Sequence, residues 1–480
     1  MSITRRQFVQ RASVAAASVG LPLLVSSRVF GANEQIRVGV VGLGIRGTGA
    51  HIPGMAAQKG VAVVAVCDPD RTRSAAAAKS CEKRYRRKPD QYVDVRKLLE
   101  RKDVDVVCIA TQQYWHALGT IWACQAGKHV YVEKPASHYI WEGRQMVNAA
   151  RRYNRIVQCG TQQRSNTGTQ AAIAWIRAGN LGKIKLVTAF ANKPRASVGK
   201  RAQALPIPPT IDYDLWCGPA KKLPIYRDKL QYDCSFDWNT GDGESANQGV
   251  HEIDVARWLL GEKDLPRRVM SIGGRFAFED AADCPNTQII YYDFPSAPVL
   301  YEVHNLRTAK GANAVPEFRG LRVGVAVDCE GGSVLISNGG KAFDKQGKEI
   351  KTFASGGDHF VNFVEAVRSG RREKLNAEIL EGHLSTRICH AGNISYRLGR
   401  KAAKDEISKV TQEIPAWNAM FDRLLVHLRA QEIDVDSPSI TCGPWLETAA
   451  EEECFRDNAA ANELVKGFYR QPYVVPEVKV

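Results

Sequence analysis

Short apolar runs alternate with longer mixed stretches through the first part of the chain. Runs rich in β-branched residues occupy positions 36–41, 61–66, 104–110 and 129–132, and the stretch 113–127 can form a helix. Such runs are typical of strands buried on both faces, and their alternation with helices predicts an α/β fold with a doubly wound parallel sheet. Ligands bind at the carboxyl ends of the strands in such sheets, so residues that follow a strand are the first candidates for a site.

The pattern changes after residue 160. Further apolar runs are far apart, with few helical patterns among them between residues 265 and 350. They lie at 184–190, 288–292, 299–303 and 334–336. This spacing predicts a second, α+β domain that has a large, mostly antiparallel open sheet with helices on one face.

A glycine-rich turn joins the first predicted strand to the next helix. Gly42, Gly44 and Gly47 form a G-x-G-x-x-G pattern that also contains Ile45 and Arg46. The first glycine permits a tight turn, the second lets the backbone approach a pyrophosphate, and the third lets the helix pack closely. We therefore expect this loop to bind a dinucleotide.

Asp68 follows the second predicted strand and bears on the identity of that dinucleotide. A carboxylate at this position accepts hydrogen bonds from the adenine ribose hydroxyls and repels a 2′-phosphate. The sequence therefore favours NAD over NADP.

Residues 1–32 have the pattern of an export signal. Arg5 and Arg6 are followed by Phe8, and a run of small and apolar residues extends over positions 12–25. That run is too short and too rich in Ala and Ser for a good membrane span. We interpret it as a twin-arginine signal peptide, which directs folded proteins across the membrane. The predicted location is periplasmic or otherwise exported, with no membrane span after signal removal.

Composition and charge narrow the function classes. With 44% hydrophobic and 24% charged residues, the chain has the composition of a soluble globular protein. The net charge is +15, but the basic residues are scattered along the chain and no nucleic-acid-binding motif accompanies them. We therefore predict no nucleic-acid partner. The 12 cysteines include no Cys-x-x-Cys pair, and we expect no metal site.

Further motifs follow the glycine loop in a defined order. They are residues 110–111, 115–116, 127–130, the Glu133-Lys134-Pro135 turn, and residues 160–164, 215–219 and 249–254. In this order they resemble the family of glucose–fructose oxidoreductase, inositol dehydrogenase and rhizopine-catabolism proteins (Gfo/Idh/MocA). Within the family, the sequence most resembles the twin-arginine-exported members, among them a glucose–fructose enzyme that keeps its nicotinamide bound.

The resemblance supplies a domain assignment and an assembly. The predicted units are the signal peptide (1–32), an NAD-binding Rossmann domain (33–158), a substrate-binding and oligomerisation domain (159–400) and a helical C-terminal extension (401–480). In the family the face of the large sheet away from the helices makes an oligomer contact, which implies a homodimer or a homotetramer here.

The resemblance also assigns roles at the cofactor. Thr111, His116 and Glu133 are expected to contact the dinucleotide. Lys134 is expected beside both the nicotinamide and the substrate hydroxyl. Oxidation of a secondary alcohol needs loss of the hydroxyl proton as hydride leaves the carbon, and a lysine can move that proton.

His251 is the second catalytic candidate. The repeat of Asp254, Val255 and Trp258 after His251 predicts a helix with one buried face, and Asn247 shares that face if the helix starts early enough. The resemblance implies an Asp–His pair at this spacing, but Asn247 stands at the Asp position. An amide can hold a sugar hydroxyl but cannot act as a base. The acid–base work then falls on Lys134 and His251, or the reaction differs from plain dehydrogenation.

Other residues are candidates for holding the substrate. Gln162 and Arg164 belong to one of the family motifs, and Trp238 and Asn239 lie in a loop rich in Gly, Asp and aromatic residues. The last two could stack on and hydrogen-bond a sugar, or they could belong to a structured loop without a ligand role. Asp254 could hold His251 or Lys134 in place, or be a buried helix partner.

Three functions are consistent with the sequence. The first is hydride transfer between a sugar or cyclic polyol and a tightly held NAD, since free NAD is scarce outside the cytoplasm. The second is a glycosidase that oxidises the sugar ring transiently, eliminates the glycosidic group and re-reduces the ring. The third is a non-catalytic sugar-binding protein on the same fold.

Overall fold

The computed structural model of the protein describes residues 35–449 and 451–480. The predicted twin-arginine signal, residues 1–32, lies outside the described residues. None of the helices in the described part combines the length and the apolar character that a membrane crossing requires.

The predicted parallel sheet is present and has six strands in the order β3-β2-β1-β4-β5-β6. The strands are β1 (Ile36–Val41), β2 (Val61–Cys67), β3 (Asp90–Tyr92), β4 (Val106–Ile109), β5 (His129–Val132) and β6 (Val157–Cys159). The helices between them are α1 (Ile52–Ala56), α2 (Arg71–Tyr85), α3 (Val95–Leu99), α4 (His116–Gln125) and α5 (Ile140–Arg152). All neighbouring pairs are parallel. The doubly wound sheet predicted from the apolar runs is therefore confirmed.

The second sheet is larger and mostly antiparallel, as predicted. Its main path runs β14-β13-β12-β11-β7-β10-β9-β8-β16-β15, and only the β7–β10 pair is parallel along that path. The strands are β7 (Ile184–Asn192), β8 (Arg268–Gly274), β9 (Thr287–Tyr292), β10 (Val299–His304), β11 (Val323–Cys329), β12 (Gly332–Ile336), β13 (Gly340–Asp344), β14 (Glu349–Phe353), β15 (Arg400–Ala402), β16 (Ile440–Cys442), β17 (Leu446–Ala449) and β18 (Cys454–Phe455).

Helices cover both faces of this sheet, whereas the sequence predicted helices on one face only; the second face is covered by a helix from the segment after residue 400. The helices of this half are α6 (Thr167–Arg177), α7 (Tyr213–Cys217), α8 (Gly243–Asn247), α9 (Gly249–Leu260), α10 (His359–Ser369), α11 (Ile379–Arg397), α12 (Lys404–Thr411), α13 (Pro415–Ala430) and α14 (Ala459–Glu463). The apolar sides of α9 and α11 form one core with the sheet, and α11 also packs on α5 of the first domain. On the opposite face, Trp417 and Phe421 of α13 pack on β8 and β9.

The segment 401–480 differs from the predicted helical extension. It contains α12 to α14, but it also adds strands, since β16 pairs with the edge of β8 and β17 pairs with β8 and β18. These strands are only two to four residues long, too short to show a period-two pattern in the sequence. The chain then returns to the first domain, where three side chains are buried in the core: Tyr473, Val475 and Val478.

Candidate functional site

A cavity of about 430 Å³ lies at the carboxyl ends of the first-domain strands. Its walls include the glycine loop, the residues after β2 and β4, the Glu133-Lys134 turn, and Leu215, Gln231, Tyr232, Cys234, Ser235 and Asn247 of the second domain. Four of these residues were not singled out from the sequence and lie in or beside the loop rich in Gly, Asp and aromatic residues: Gln231, Tyr232, Cys234 and Ser235. We call this space the first cavity.

The glycine loop has the geometry that its spacing predicts. Gly42 has a φ of +85°, and a Cβ there would lie 2.5 Å from the Thr111 nitrogen. A Cβ on Gly47 would lie 1.9 Å from the Gly42 carbonyl oxygen. At Gly44 the nearest atom to such a Cβ is Arg73 Nη1, at 3.4 Å. The first and third glycines are therefore needed for packing, and the second leaves open space beside the cavity.

Asp68 lines the cavity at the end of β2, held in place by backbone groups. Leu43 N–H donates to its Oδ2 at 2.7 Å, and Asp70 N–H donates to its Oδ1 at 2.9 Å. Burial raises the pKa of Asp68, while these two donors oppose that shift. Arg73 also lines this part of the cavity and has the side-chain type that binds a 2′-phosphate.

Thr111 and His116 lie where β4 meets α4. Thr111 lines the cavity, and its hydroxyl oxygen is buried and has no hydrogen-bond partner among the described residues. His116 Nδ1 lies 2.7 Å from the Pro135 carbonyl oxygen, and Nε2 lies 3.2 Å from that of Thr111. Burial lowers the pKa of His116. The imidazole thus ties the Thr111 backbone to the turn that carries Lys134.

Glu133 connects this turn to the glycine loop. Its Oε1 accepts from Arg46 Nε at 2.7 Å and lies 3.0 Å from His51 Nε2. Burial opposes ionisation of Glu133, but His51, Arg46 and Lys134 together hold its pKa well below the ordinary range. Glu133 therefore remains a carboxylate that fixes Arg46.

Lys134 projects from the turn toward the second domain. Its Nζ donates to the Asn247 backbone oxygen at 2.6 Å and lies 3.3 Å from Asn247 Oδ1. Burial lowers the pKa of Lys134, and the charges of Arg46 and Lys193 act in the same direction against those of Glu133 and Glu244. The ammonium group is thereby prepared to lose a proton more readily than a free lysine.

Asn247 and His251 belong to two helices rather than one. Asn247 ends α8 and His251 lies in the first turn of α9, with Gln248 between the two helices. Burial lowers the pKa of His251 to about 3, and the positive charge of Lys134 contributes. His251 is therefore a neutral imidazole near Lys134 across the ordinary pH range.

A second cavity of about 600 Å³ lies on the other side of the 247–251 segment. It is lined by Gln162, Gln163, Ser165, Asn166, Lys193, Gln248, His251, Glu252, Val255, residues 323–325, residues 336–338 and residues 356–360. Most of its polar groups are neutral amides and hydroxyls, which suit the hydroxyl groups of a sugar. The first cavity is lined by Asn247 and the second by Gln248 and His251, so the two cavities border the same short segment.

Three residues expected at the substrate line neither cavity. Arg164 is buried and pairs with Asp254, with Nε–Oδ distances of 2.9 and 3.0 Å, because Asp254 faces inward from α9. Trp238 lies beside Arg397, 5.3 Å from the Arg397 Cζ to the ring centroid. Asn239 hydrogen-bonds the backbone of Lys221. Of the alternatives for Asp254, the structure supports the buried partner.

Lys193, Gln248 and Glu252 line the second cavity but were not singled out from the sequence. Lys193 directly follows β7, so the rule that strand ends carry sites could have drawn attention to it. Gln248 and Glu252 flank His251 and had no separate signal. Glu252 is buried, which raises its pKa to about 8.

Comparison with known families agrees with this geometry. Residues 36–161 match the oxidoreductase family described as the NAD-binding Rossmann fold of Gfo/Idh/MocA. Residues 177–297 match the C-terminal alpha/beta domain of the same family.

Two curated relatives come from Shewanella. A glycosyl hydrolase family 109 protein 1 from Shewanella sp. (strain ANA-3) is 32% identical over 157 residues, which are 32% of this chain and 34% of the relative. An alpha-N-acetylgalactosaminidase from Shewanella oneidensis is 31% identical with the same coverage. The chain thus spans about a third of the length of these relatives.

Solved structures share the fold over most of their length. The WlbA dehydrogenase from Chromobacterium violaceum, in complex with NADH and UDP-GlcNAcA, is 18% identical with a TM-score of 0.57, covering 77% of this chain and 96% of that one. The aldose–aldose oxidoreductase from Caulobacter crescentus, complexed with glycerol, is 18% identical with a TM-score of 0.56, covering 75% and 96%. With both domains matched in order, the chain belongs to the Gfo/Idh/MocA family of NAD-binding oxidoreductases.

Proposed function

We propose that the protein transfers hydride between a secondary alcohol carbon of a sugar or cyclic polyol and a nicotinamide dinucleotide held in the first cavity. The observation that carries the proposal is the position of Lys134, whose Nζ lies against Asn247 where the two cavities approach each other. Gly44, Asp68 and Thr111 line that cavity; the glycine would let the backbone approach a pyrophosphate, and the carboxylate would accept from the ribose hydroxyls. The bound nicotinamide would supply the hydride acceptor.

The proton of the substrate hydroxyl needs its own acceptor. Lys134 in its neutral form takes that proton, because its pKa lies below that of an ordinary lysine. The neutral imidazole of His251 can hold a second hydroxyl by a hydrogen bond, while Asn247 keeps the lysine in place. In the reverse direction the same ammonium returns the proton to the carbonyl oxygen as hydride arrives.

A second candidate is a glycosidase that oxidises the sugar ring transiently and then re-reduces it. The names of the curated relatives, a glycosyl hydrolase family 109 protein and an alpha-N-acetylgalactosaminidase, favour it. A cleaved glycoside with no net change in the redox state of NAD would distinguish this activity from plain dehydrogenation. A non-catalytic sugar-binding protein would give neither product.

The first experiment measures the cofactor directly. Residues 33–480 are produced in the cytoplasm, purified and denatured, and the released dinucleotide is quantified by mass spectrometry. We expect near-stoichiometric NAD, since we also propose twin-arginine export of a folded enzyme that recycles its cofactor. Absence of NAD and NADP, with no binding when either is added, would contradict both enzymatic proposals.

Cofactor choice is tested at Asp68. We expect Asp68→Ser to weaken NAD and strengthen NADP binding, because the substitution removes the carboxylate that repels a 2′-phosphate and leaves Arg73 to pair with it. Binding of both dinucleotides by titration calorimetry gives the ratio of their affinities. Asp94→Ser, at the N-cap of α3, is the control, because serine can also accept the hydrogen bond from the Arg96 N–H. An unchanged ratio in Asp68→Ser would contradict this role.

We also propose a homodimer or homotetramer. The part of the large sheet covered by α13 is already occupied within the chain, so a contact through that face would have to use other strands. Light scattering on the purified protein tests the assembly, and a monomer at micromolar concentration would contradict it.

A further inference from the structure

Lys193 places a positive charge in the second cavity. It directly follows the last residue of β7, and its Nζ donates to Gln248 Oε1 at 2.5 Å. No carboxylate of the described residues lies within the 4.0 Å that defines an ion pair with this ammonium. Among the described residues, the hydrogen-bond partner of the Lys193 ammonium is thus a neutral amide.

The two acidic residues that line the same cavity do not balance this charge. Glu252 accepts from Gln248 Nε2 at 3.1 Å through Oε1, and burial raises its pKa to about 8, so it is mostly protonated at neutral pH. Asp358 accepts the N–H groups of Phe360 and Val361 at 2.7 and 3.1 Å, as the N-cap of α10. The negative charge of Asp358 therefore interacts with the N-terminus of α10.

Other charged groups nearby increase the positive potential. Three positive charges lower the pKa of His251, those of Lys134, Arg46 and Lys193. Among the charges that act on it most strongly, only that of Glu133 opposes them. Glu133 is already paired with Arg46 and His51. Glu244, which also acts on Lys134, is paired with Arg195. Lys193 is therefore the ammonium group of the second cavity, and Lys134, at the first cavity, adds positive charge near His251.

A partly buried ammonium without a counter-ion is unfavourable, and an anionic ligand would relieve it. The rest of the lining offers neutral groups for hydroxyls, among them the Gln162 and Asn338 side chains. We propose that the second cavity binds a sugar acid, a uronate, and that Lys193 pairs with its carboxylate. This inference names the substrate class for the proposed function and rests on it.

A carboxylate fits this site better than a phosphate. Phosphate sites usually offer arginine or free N–H groups of a helix N-terminus, and those of α10 nearest the cavity are taken by Asp358. A single lysine matches the single charge of a carboxylate.

The test measures binding to the dinucleotide-loaded protein by calorimetry. The ligands are D-glucuronate, D-galacturonate and D-mannuronate, each compared with its neutral hexose, and D-glucose 6-phosphate. We expect at least one uronate to bind the wild type about tenfold more tightly than its hexose, which corresponds to about 1.4 kcal/mol. Lys193→Gln should lose this preference and Lys193→Arg should keep it. Lys200→Gln, at an exposed lysine paired with Glu279, is the matched control.

The outcomes separate this inference from the proposed function. Equal binding of every uronate and its hexose, an unchanged preference in Lys193→Gln, or tighter binding of the phosphate would overturn the inference. Reduction of the bound nicotinamide, followed by its absorbance, is measured in parallel. Neutral sugars that reduce it without any uronate preference would leave the proposed function standing alone. Lys193-dependent uronate binding without reduction by any ligand would support the sugar-acid site and contradict the proposed hydride transfer.

Discussion

Lys134→Met is expected to slow reduction of the bound nicotinamide by about 10²–10⁴-fold, the usual contribution of a positioned acid–base group. Methionine has similar length but cannot accept the hydroxyl proton that the proposed function assigns to Lys134, whose Nζ lies beside Asn247. Because the lysine side chain contacts the second domain rather than the glycine loop, the amount of NAD that copurifies should change little. Stopped-flow absorbance of the reduced nicotinamide measures the rate, and mass spectrometry measures the cofactor.

The control is Lys102→Met, at a lysine exposed in the turn before β4.

In the wild type the rate of nicotinamide reduction should rise with pH, because the proposed hydride transfer to NAD needs neutral Lys134. It should level off below the pKa of free lysine, about 10.4, since burial lowers the pKa of this group. His251, with a pKa of about 3, should add no inflection near neutral pH. If Lys134→Met reduced the bound nicotinamide at the wild-type rate, Lys134 would take no part in the chemistry.

Asp254→Ala should lower the free energy of unfolding by about 3–5 kcal/mol, the effect of removing one partner of a buried ion pair. The Arg164 guanidinium is 5% exposed, and the Asp254 carboxylate, fully buried, also accepts from the Ser385 hydroxyl at 2.6 Å. Without Asp254, Arg164 retains Glu381 at 3.0 Å as its only carboxylate partner among the described residues. Urea unfolding followed by circular dichroism gives the change.

The matched control for this stability effect is Asp422→Ala. Asp422 is exposed on α13 and hydrogen-bonds only Asn418 among the described residues, so its loss should cost less than about 0.5 kcal/mol. The double substitution Arg164→Met with Asp254→Leu should recover part of the loss, because no uncompensated charge stays buried. If Asp254→Ala unfolds with the midpoint and slope of the wild type, the pair contributes nothing to stability.

The sheets could be predicted from the sequence because each leaves a local signal. Continuous apolar runs marked four of the six parallel strands, and the spacing of Gly42 and Asp68 marked the cofactor end of the first domain. The other two, β3 and β6, are three residues each and were not predicted. The helix α9 was also readable from its periodicity, but the single buried face was not. Nine of its 12 residues are buried, and His251 and Trp258, which the pattern placed on that face, are only partly buried. What periodicity could not give was the break at Gln248, since a helix pattern continues across it.

The partners of polar residues were the least predictable part of the site. Arg164 lies in a family motif and was expected at the substrate, yet its partner Asp254 is 90 residues away and the pair is internal. Lys193 is one lysine among many, and only the fold brings it beside His251. Charge pairing depends on contacts between distant segments, for which a single sequence has no periodic signal.

The return of residues 473–478 to the first domain has a consequence for biosynthesis. Val478 is 5% exposed in the core of that domain, and its backbone N–H and carbonyl bind Gln145 and Asn148 of α5. These residues are translated long after the six strands whose core they help to fill. The first domain therefore cannot complete its packing as soon as its own strands are synthesised, as the N-terminal domain of a multidomain chain ordinarily does. Its core is completed only when this late segment has been made.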